Sequence, residues 1–141
     1  MRAVLDANIL IAALLGSRRT LKLVASASYQ WYAPQRIVEE ITKHKPLLCE
    51  RSRQSFGEFE ETMAALLLFV RLLDPAEYEA FMEVATKGIG ERDRNDADYV
   101  AAALAVHAYF LWTNDKDFTA QGLVPTKTTH QLLQEAGEPL F

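Results

Sequence analysis

The chain has 141 residues, a common size for one domain, so we predict a single domain over residues 1–141. Apolar residues make up 50% of it and charged residues 24%, which is ordinary for a globular protein and excludes a long disordered tract. The net charge of -4 conceals a basic first part, since residues 1–57 carry a net charge of +5. Its basic pairs, Arg18–Arg19, Lys43–Lys45 and Arg51–Arg53, either hold phosphates or form solvated helix faces.

Cysteine usage and hydropathy indicate the compartment. The one cysteine, Cys49, cannot form an internal disulfide and has no CxxC partner, which favours a reducing compartment. No signal-peptide pattern follows Met1, and the longest apolar run, residues 63–70, is too short to cross a bilayer. We therefore expect a cytoplasmic protein that makes no contact with a membrane.

The first half of the sequence alternates strand and helix patterns. Short apolar runs predict strands, and apolar residues spaced by three or four predict helices. In order these are a strand over 3–5, helices over 9–15 and 20–28, a strand over 31–33, a helix over 35–44 that Pro34 begins, and a helix from Ser52 to about Phe69.

The second half continues the alternation and contains an alanine-rich helix that can lie close against a sheet. Its predicted elements are a strand over 70–73, a helix from the Asp74 cap to Gly88–Gly90, a helix from Asp96 to about Ala108 capped by Asp93 or Asn95, strands over 109–113 and 124–127, and a helix over 130–136. Alternating strands and helices predict an α/β fold with a parallel sheet covered on both faces. Aromatic residues within these elements, such as Tyr99, are expected to pack in the core.

Two predicted strands end in an aspartate, Asp6 after the first and Asp115 after the fourth. Ligands of open α/β sheets bind at the carboxyl ends of the strands, where separate loops converge. The two carboxylates can therefore be neighbours despite their distance along the chain. Asp96, at a helix start, and Glu40, in the helix after the second strand, are further candidates for the same edge.

A cluster of carboxylates predicts a divalent cation. Neighbouring ionised acids raise each other's pKa, and the cluster is unfavourable without a positive charge. Mg²⁺ and Mn²⁺ prefer carboxylate and water oxygens, whereas the three histidines lack the spacing of a zinc site. Such ions activate water and neutralise charge on a phosphodiester under attack, so no side-chain nucleophile is needed.

Four segments of the chain carry a family pattern: VLDAN at residues 4–8, VEEI at 38–41, RDRND at 92–96 leading into YVAAALA at 99–105, and TNDKDF at 113–118. In these segments the chain resembles PIN-domain nucleases, in particular VapC-type toxins and stand-alone prokaryotic relatives. The resemblance implies a three-layer α/β/α fold with about five parallel strands. It also implies a Mg²⁺- or Mn²⁺-dependent endoribonuclease, a homodimer, and often a small antitoxin that blocks the site.

The resemblance also implies roles for individual residues. Asp6, Glu40, Asp96 and Asp115 would form the acidic metal site. The polar groups that position them would be Asn8 and Thr113, with Asp117 as a less central acid.

Competing assignments stay open at this point. Glu39 competes with Glu40, which directly precedes an apolar residue as the family acid does, and Asp93 and Asp98 compete with Asp96. Asp6 can also be a helix cap and Asp115 a turn residue.

Three rival functions are weighed against the ribonuclease. A phosphatase of the haloacid-dehalogenase type needs a second acid two residues after the first, and position 8 is Asn. A PIN-like binding module with an idle site does not explain why the four acids are present, because clustered carboxylates that bind no cation only cost stability. A nuclease for DNA or flap structures differs only in substrate.

Overall fold

The computed structural model of the protein describes residues 1–89 and 94–137, with only the backbone for residues 94 and 95. It contains a five-stranded sheet in which every strand pairing is parallel. The strands are β1 (Arg2–Leu5), β2 (Gln30–Pro34), β3 (Val70–Leu73), β4 (Phe110–Trp112) and β5 (Thr126–Lys127). The predicted α/β fold with its parallel sheet is thus confirmed.

The order of the strands, β3-β2-β1-β4-β5, places the start of the chain at the centre of the sheet. In β1, Val4 pairs with Tyr32 of β2 on one side and with Leu111 of β4 on the other. Because β1 and β4 are adjacent and parallel, Asp6 and the segment from Thr113 to Asp115 leave the sheet at the same edge. This topology puts the two predicted acids side by side.

Helices connect the strands and cover the sheet. They are α1 (Ala7–Leu14), α2 (Arg18–Val24), α3 (Ile37–Lys43), α4 (Lys45–Ser52), α5 (Phe56–Leu67), α6 (Pro75–Tyr78), α7 (Met82–Ile89), α8 (Arg94–Ala105) and α9 (Thr129–Glu135). None of the helices within residues 1–89 and 94–137 is long and apolar enough to span a membrane.

The helix boundaries differ from the predicted ones around α3 to α5. Pro34 is the last residue of β2 rather than the first of a helix, and α3 begins only at Ile37. The short α4, half of whose residues are polar, was not predicted, because its apolar residues do not form a clear stripe on one face. The α5 helix begins after Ser55, whose side chain and Glu58 form a capping box, rather than at Ser52.

One face of the sheet is aromatic. Trp31 and Trp112 lie with ring centroids 4.8 Å apart, and Phe110 meets Trp31 edge to face. The indole N–H of Trp31 donates to the Leu23 carbonyl of α2, and that of Trp112 donates to the Thr129 hydroxyl of α9. These two bonds satisfy the polar atoms of large buried side chains and fix α2 and α9 over this face.

The alanine-rich α8 packs against β1, β2 and β4. Ala101, Ala102 and Ala103 are fully buried, and their small side chains let the helix backbone approach the sheet closely. The predicted close packing of this helix is confirmed. Its start at Arg94 is earlier than the predicted start, while the candidate cap Asp93 and the predicted break at Gly90 lie outside the described residues.

Candidate active site

Asp6 is held at the carboxyl end of β1 by two sets of bonds. Its backbone N–H donates to the Trp112 carbonyl of β4 at 3.1 Å. Its carboxylate oxygen Oδ1 accepts the N–H of Ile9 at 3.2 Å and so caps α1. The other oxygen, Oδ2, is buried and has no hydrogen-bond partner in the described part of the chain. Asp6 is therefore a helix cap whose second oxygen makes no hydrogen bond of ordinary geometry there, although the Thr113 hydroxyl lies near the carboxylate.

Asp115 follows β4 and is anchored in a similar way. Its backbone N–H donates to the Thr113 hydroxyl at 3.0 Å, and its Oδ1 accepts the backbone N–H of Asp117 at 2.9 Å. The second bond caps a short 3₁₀ helix, Lys116–Gln121, that was not predicted. The Asp117 side chain is exposed, whereas Asp115 is half-buried and Thr113 is buried.

The surroundings of Asp6 disfavour the charged form of its carboxyl group. Burial raises the pKa of Asp6 above its ordinary value, and the negative charge of Asp115 raises it further. The nearby Thr113 hydroxyl and the backbone N–H groups of Ile9 and Asn8 oppose this shift, but the net direction is upward. The predicted proximity of Asp6 and Asp115 is thus present in the structure.

Glu40 reaches the same region from α3. It is half-buried while its neighbour Glu39 is exposed. Its Oε1 lies 3.4 Å from the guanidinium Nε of Arg36, one turn earlier in the helix. Of the two competing glutamates, Glu40 is therefore the half-buried one that pairs with Arg36.

The phenol of Tyr99, in α8, lies close enough to both Glu40 and Asp6 to interact with their charges. Burial raises the pKa of its phenol, and the negative charges of Glu40 and Asp6 raise that pKa further, so the hydroxyl stays neutral and can donate. Its ring is buried and packs edge to face on Phe118 at 6.4 Å. The core packing predicted for Tyr99 is confirmed for the ring, but the proximity of its hydroxyl to the acids was missed. The sequence did contain a signal for this proximity. Tyr99 follows Asp96 by three residues, which places both on one face of the helix.

Asp98 belongs to a different arrangement. Its Oδ2 accepts a hydrogen bond from the Tyr78 hydroxyl at 2.8 Å, and its Oδ1 lies 3.4 Å from the Arg36 guanidinium. Burial lowers the pKa of Arg36, but the charges of Asp98 and Glu40 outweigh this and raise it. Both oxygens of Asp98 thus have partners within the protein.

The other candidates are placed as follows. Asp96 is half-buried in the first turn of α8, three residues before Tyr99 and therefore on the same side of that helix. Asp93 lies outside the described residues. Asn8 is exposed on α1 and shares the wall of a small cavity with Glu40.

The fit of a divalent cation depends on Asp6 and Asp115. Within residues 1–89 and 94–137, no three or more His, Cys, Asp or Glu side chains form a group that could hold a metal ion. Mg²⁺, however, is commonly held by one or two carboxylates together with waters and substrate phosphates. A buried carboxylate oxygen without a partner, beside a second carboxylate, fits such an ion. The four-acid site stays a prediction.

The chain is similar to known proteins in sequence family and in fold. The family model of the PIN domain matches residues 4–137. No curated protein matches the chain. Among solved structures, VapBC2 from Rickettsia felis, crystallised with a DNA fragment from its promoter, matches with a TM-score of 0.65 and 19% identity over 91% of this chain and 98% of the other. FitAcB from Neisseria gonorrhoeae matches with a TM-score of 0.62 and 18% identity, over 90% and 97% of the two chains.

The family match covers nearly the whole chain, and the two solved structures share its fold. The segments that suggested the resemblance, from VLDAN at residues 4–8 to TNDKDF at 113–118, fall within the matched range. The chain belongs to the PIN-domain family.

Proposed function

We propose that the protein is a Mg²⁺- or Mn²⁺-dependent endoribonuclease that hydrolyses phosphodiester bonds at the edge of the sheet where β1 and β4 end. Membership of the PIN-domain family supports a nuclease. The observation that carries the proposal is the buried Oδ2 of Asp6, which has no hydrogen-bond partner in the described residues and lies beside a second acid. Leaving a carboxylate oxygen buried and unsatisfied is unfavourable unless a ligand completes it.

In this proposal Asp6 and Asp115 would hold the cation. Asp96, on the same side of α8 as Tyr99, is the predicted third ligand, although the described residues do not bring three such side chains into one metal-holding group. When bound, such a cation lowers the pKa of an attacking water and offsets the charge that develops on the phosphodiester. Glu40 binds or orients the attacking water. The Tyr99 phenol stays neutral and lies near Glu40 without a hydrogen bond of ordinary geometry in the described residues; in this proposal it would donate to Glu40 and keep its carboxylate directed at the site.

The remaining predicted residues hold these groups in place. The Thr113 hydroxyl accepts the backbone N–H of Asp115 and lies close to the carboxylate of Asp6, which keeps the two strand ends together. Asn8, in the first turn of α1, is a polar group at the entrance to the site, and Asp117 lies at its margin.

We further propose that the protein acts in the cytoplasm as the toxin of a toxin–antitoxin pair, and as a homodimer. The structural similarity to VapBC2 and FitAcB supports the toxin–antitoxin part of this assignment, while the homodimer and the cytoplasmic location rest on the sequence and the family resemblance. A short reading frame directly next to the gene, whose product co-purifies with this chain and suppresses cleavage, is the expected finding. A chain that elutes as a monomer, with no such neighbouring frame, would favour a stand-alone nuclease.

The enzyme is tested by incubating the pure protein with structured RNA and with single-stranded DNA, in Mn²⁺ or in EDTA. We expect cutting of RNA that requires Mn²⁺, is lost in Asp6→Asn and Glu40→Gln, and persists in Glu39→Gln. The last variant is a matched control, because Glu39 is the exposed neighbour of Glu40. Cutting that Asp6→Asn leaves unchanged would overturn the assignment, and cutting of DNA alone would change the substrate.

A binding module with an idle site is a second candidate. It is favoured by one observation, namely that the described residues contain no group of three or more metal-binding side chains. The same assay separates the two functions, because an idle module binds nucleic acid equally in Mn²⁺ and EDTA and cuts none.

A further inference from the structure

A cavity of about 160 Å³ lies between α1 and α3, next to the proposed active site. Two of its wall residues, Asn8 and Glu40, are residues of the predicted site. Its other lining residues are Ala7, Ile11, Lys43 and His44. The volume is roughly five times the ~30 Å³ that one water occupies in the liquid, so an anion of the size of phosphate fits.

The charge at this cavity comes from Lys43. Its side chain is exposed and lies three residues after Glu40, on the same side of α3. The negative charge of Glu40 is offset in part by Arg36, which lies 3.4 Å away and is shared with Asp98. Within residues 1–89 and 94–137, no carboxylate forms an ion pair with Lys43. Among these residues the ammonium of Lys43 thus has no counter-charge, and it can face an anionic ligand.

Lys45 is a natural comparison, because it is the same residue type two positions later. Its ammonium forms an ion pair with Glu60 and lies 4.8 Å from the centroid of the Phe56 ring. The two lysines of the basic pair Lys43–Lys45 therefore have different surroundings in the fold. One member is neutralised by the protein, and the other faces a cavity beside the active site.

We propose that this cavity binds a backbone phosphate of the RNA strand adjacent to the phosphodiester that is cut, with Lys43 as its counter-charge. The proposal rests on the proposed function. The Asn8 amide and the His44 imidazole supply further hydrogen-bonding groups on the cavity wall. The Lys43 ammonium binds the phosphate as a point charge.

The position of the cavity favours a flanking phosphate over the one that reacts. Asp6 caps α1, and the cavity runs along that helix from Ala7 and Asn8 to Ile11, which lies one turn further from Asp6. A phosphate seated there is displaced from the carboxylates that would hold the cation. It would set the register of the strand rather than take part in the hydrolysis.

The first test measures binding of a short single-stranded oligoribonucleotide to protein carrying Asp6→Asn, which prevents cutting during the measurement. Each phosphate contact contributes about 0.7 to the slope of log K against log salt for a single strand. We expect Lys43→Gln to reduce that slope by about 0.7, Lys45→Gln to leave it unchanged, and Lys43→Arg to restore it. Equal slopes for Lys43→Gln and Lys45→Gln, or no binding by any variant, would overturn the proposal.

The second test locates the contact on the RNA. Neutral methylphosphonate linkages are introduced one at a time along the same oligonucleotide. We expect one linkage to weaken binding to the parent protein and to have no effect on Lys43→Gln. The same sensitivity in both proteins would contradict the proposal. Melting curves of the variants confirm that each is folded.

Cleavage of the same oligonucleotide by proteins that retain Asp6 separates the two proposals. If Mn²⁺-dependent cutting is present while the salt slopes are equal, the phosphate site is wrong and the nuclease assignment stands. If Lys43→Gln changes the slope but no protein cuts, the binding site stands and the nuclease assignment is wrong.

Discussion

Asp6 and Asp98 are both buried aspartates, about 3% and 8% exposed, yet their surroundings are opposite. The two oxygens of Asp98 are taken by the Tyr78 hydroxyl and the Arg36 guanidinium. One oxygen of Asp6 caps a helix, while the other has no partner in the described residues, and another acid, Asp115, lies nearby. A buried acid whose oxygens both have partners needs no further ligand, whereas an incompletely satisfied one beside a like charge indicates a place for a cation.

The largest expected effect comes from Asp6→Asn. Asparagine caps a helix as well as aspartate does, so α1 remains intact while the charge is removed. Loss of several kcal/mol of cation-derived stabilisation lowers cleavage by on the order of 10²–10³-fold. Without metal, the variant should melt at a higher temperature than the wild type, because a buried, poorly satisfied charge is gone. A lower melting temperature would contradict the contrast with Asp98.

The next effect is on stability and concerns Asp98→Ala. Removing one member of a buried charge network destabilises a protein by 3–5 kcal/mol, but Arg36 is about one-third exposed, so we expect about 2 kcal/mol. Urea unfolding with and without Mn²⁺ measures this loss, which should be the same in both. Tyr78→Phe, which removes only the hydroxyl, should lose less. A loss seen only in the presence of Mn²⁺ would place Asp98 in the metal site.

A smaller effect is expected for Tyr99→Phe. The substitution retains the ring that packs on Phe118 and removes the hydroxyl that lies beside Glu40 and Asp6. Outer groups that orient a metal site typically contribute about 10–100-fold, and we expect the lower end of that range in kcat with little change in KM. A variant with full activity would remove Tyr99 from the account.

The smallest effect is a pH dependence of stability. The folded state raises the pKa of Asp6 and so binds its proton more tightly than the unfolded state does. The contribution of Asp6 to the metal-free free energy of unfolding is therefore largest below the ordinary aspartate pKa of about 3.9, and it falls as pH rises through the raised pKa. Urea unfolding at a series of pH values measures this pH-dependent contribution. The Asp6→Asn variant should lack it. An identical pH profile in both proteins would count against the burial of an unsatisfied charge.

Topology made Asp6 and Asp115 predictable as neighbours, because parallel strands end at one edge of a sheet. The alternative interpretations of both residues, helix cap and turn residue, are also correct, since a carboxylate has two oxygens and each cap uses one. The network of Arg36, Tyr78 and Asp98 was not predictable, because it joins three helical regions through side-chain geometry that no spacing encodes. The α4 helix was missed for a local reason, its weak apolar pattern.

The most direct test of the central claim locates the cation itself. Crystals of the wild type and of Asp6→Asn are soaked in Mn²⁺, and anomalous scattering is measured near the manganese edge. We predict a peak in the wild type within coordination distance of Asp6 Oδ2 and the Asp115 carboxylate, and its loss in Asp6→Asn. No peak at this edge of the sheet, or one that persists unchanged in the variant, would contradict the account.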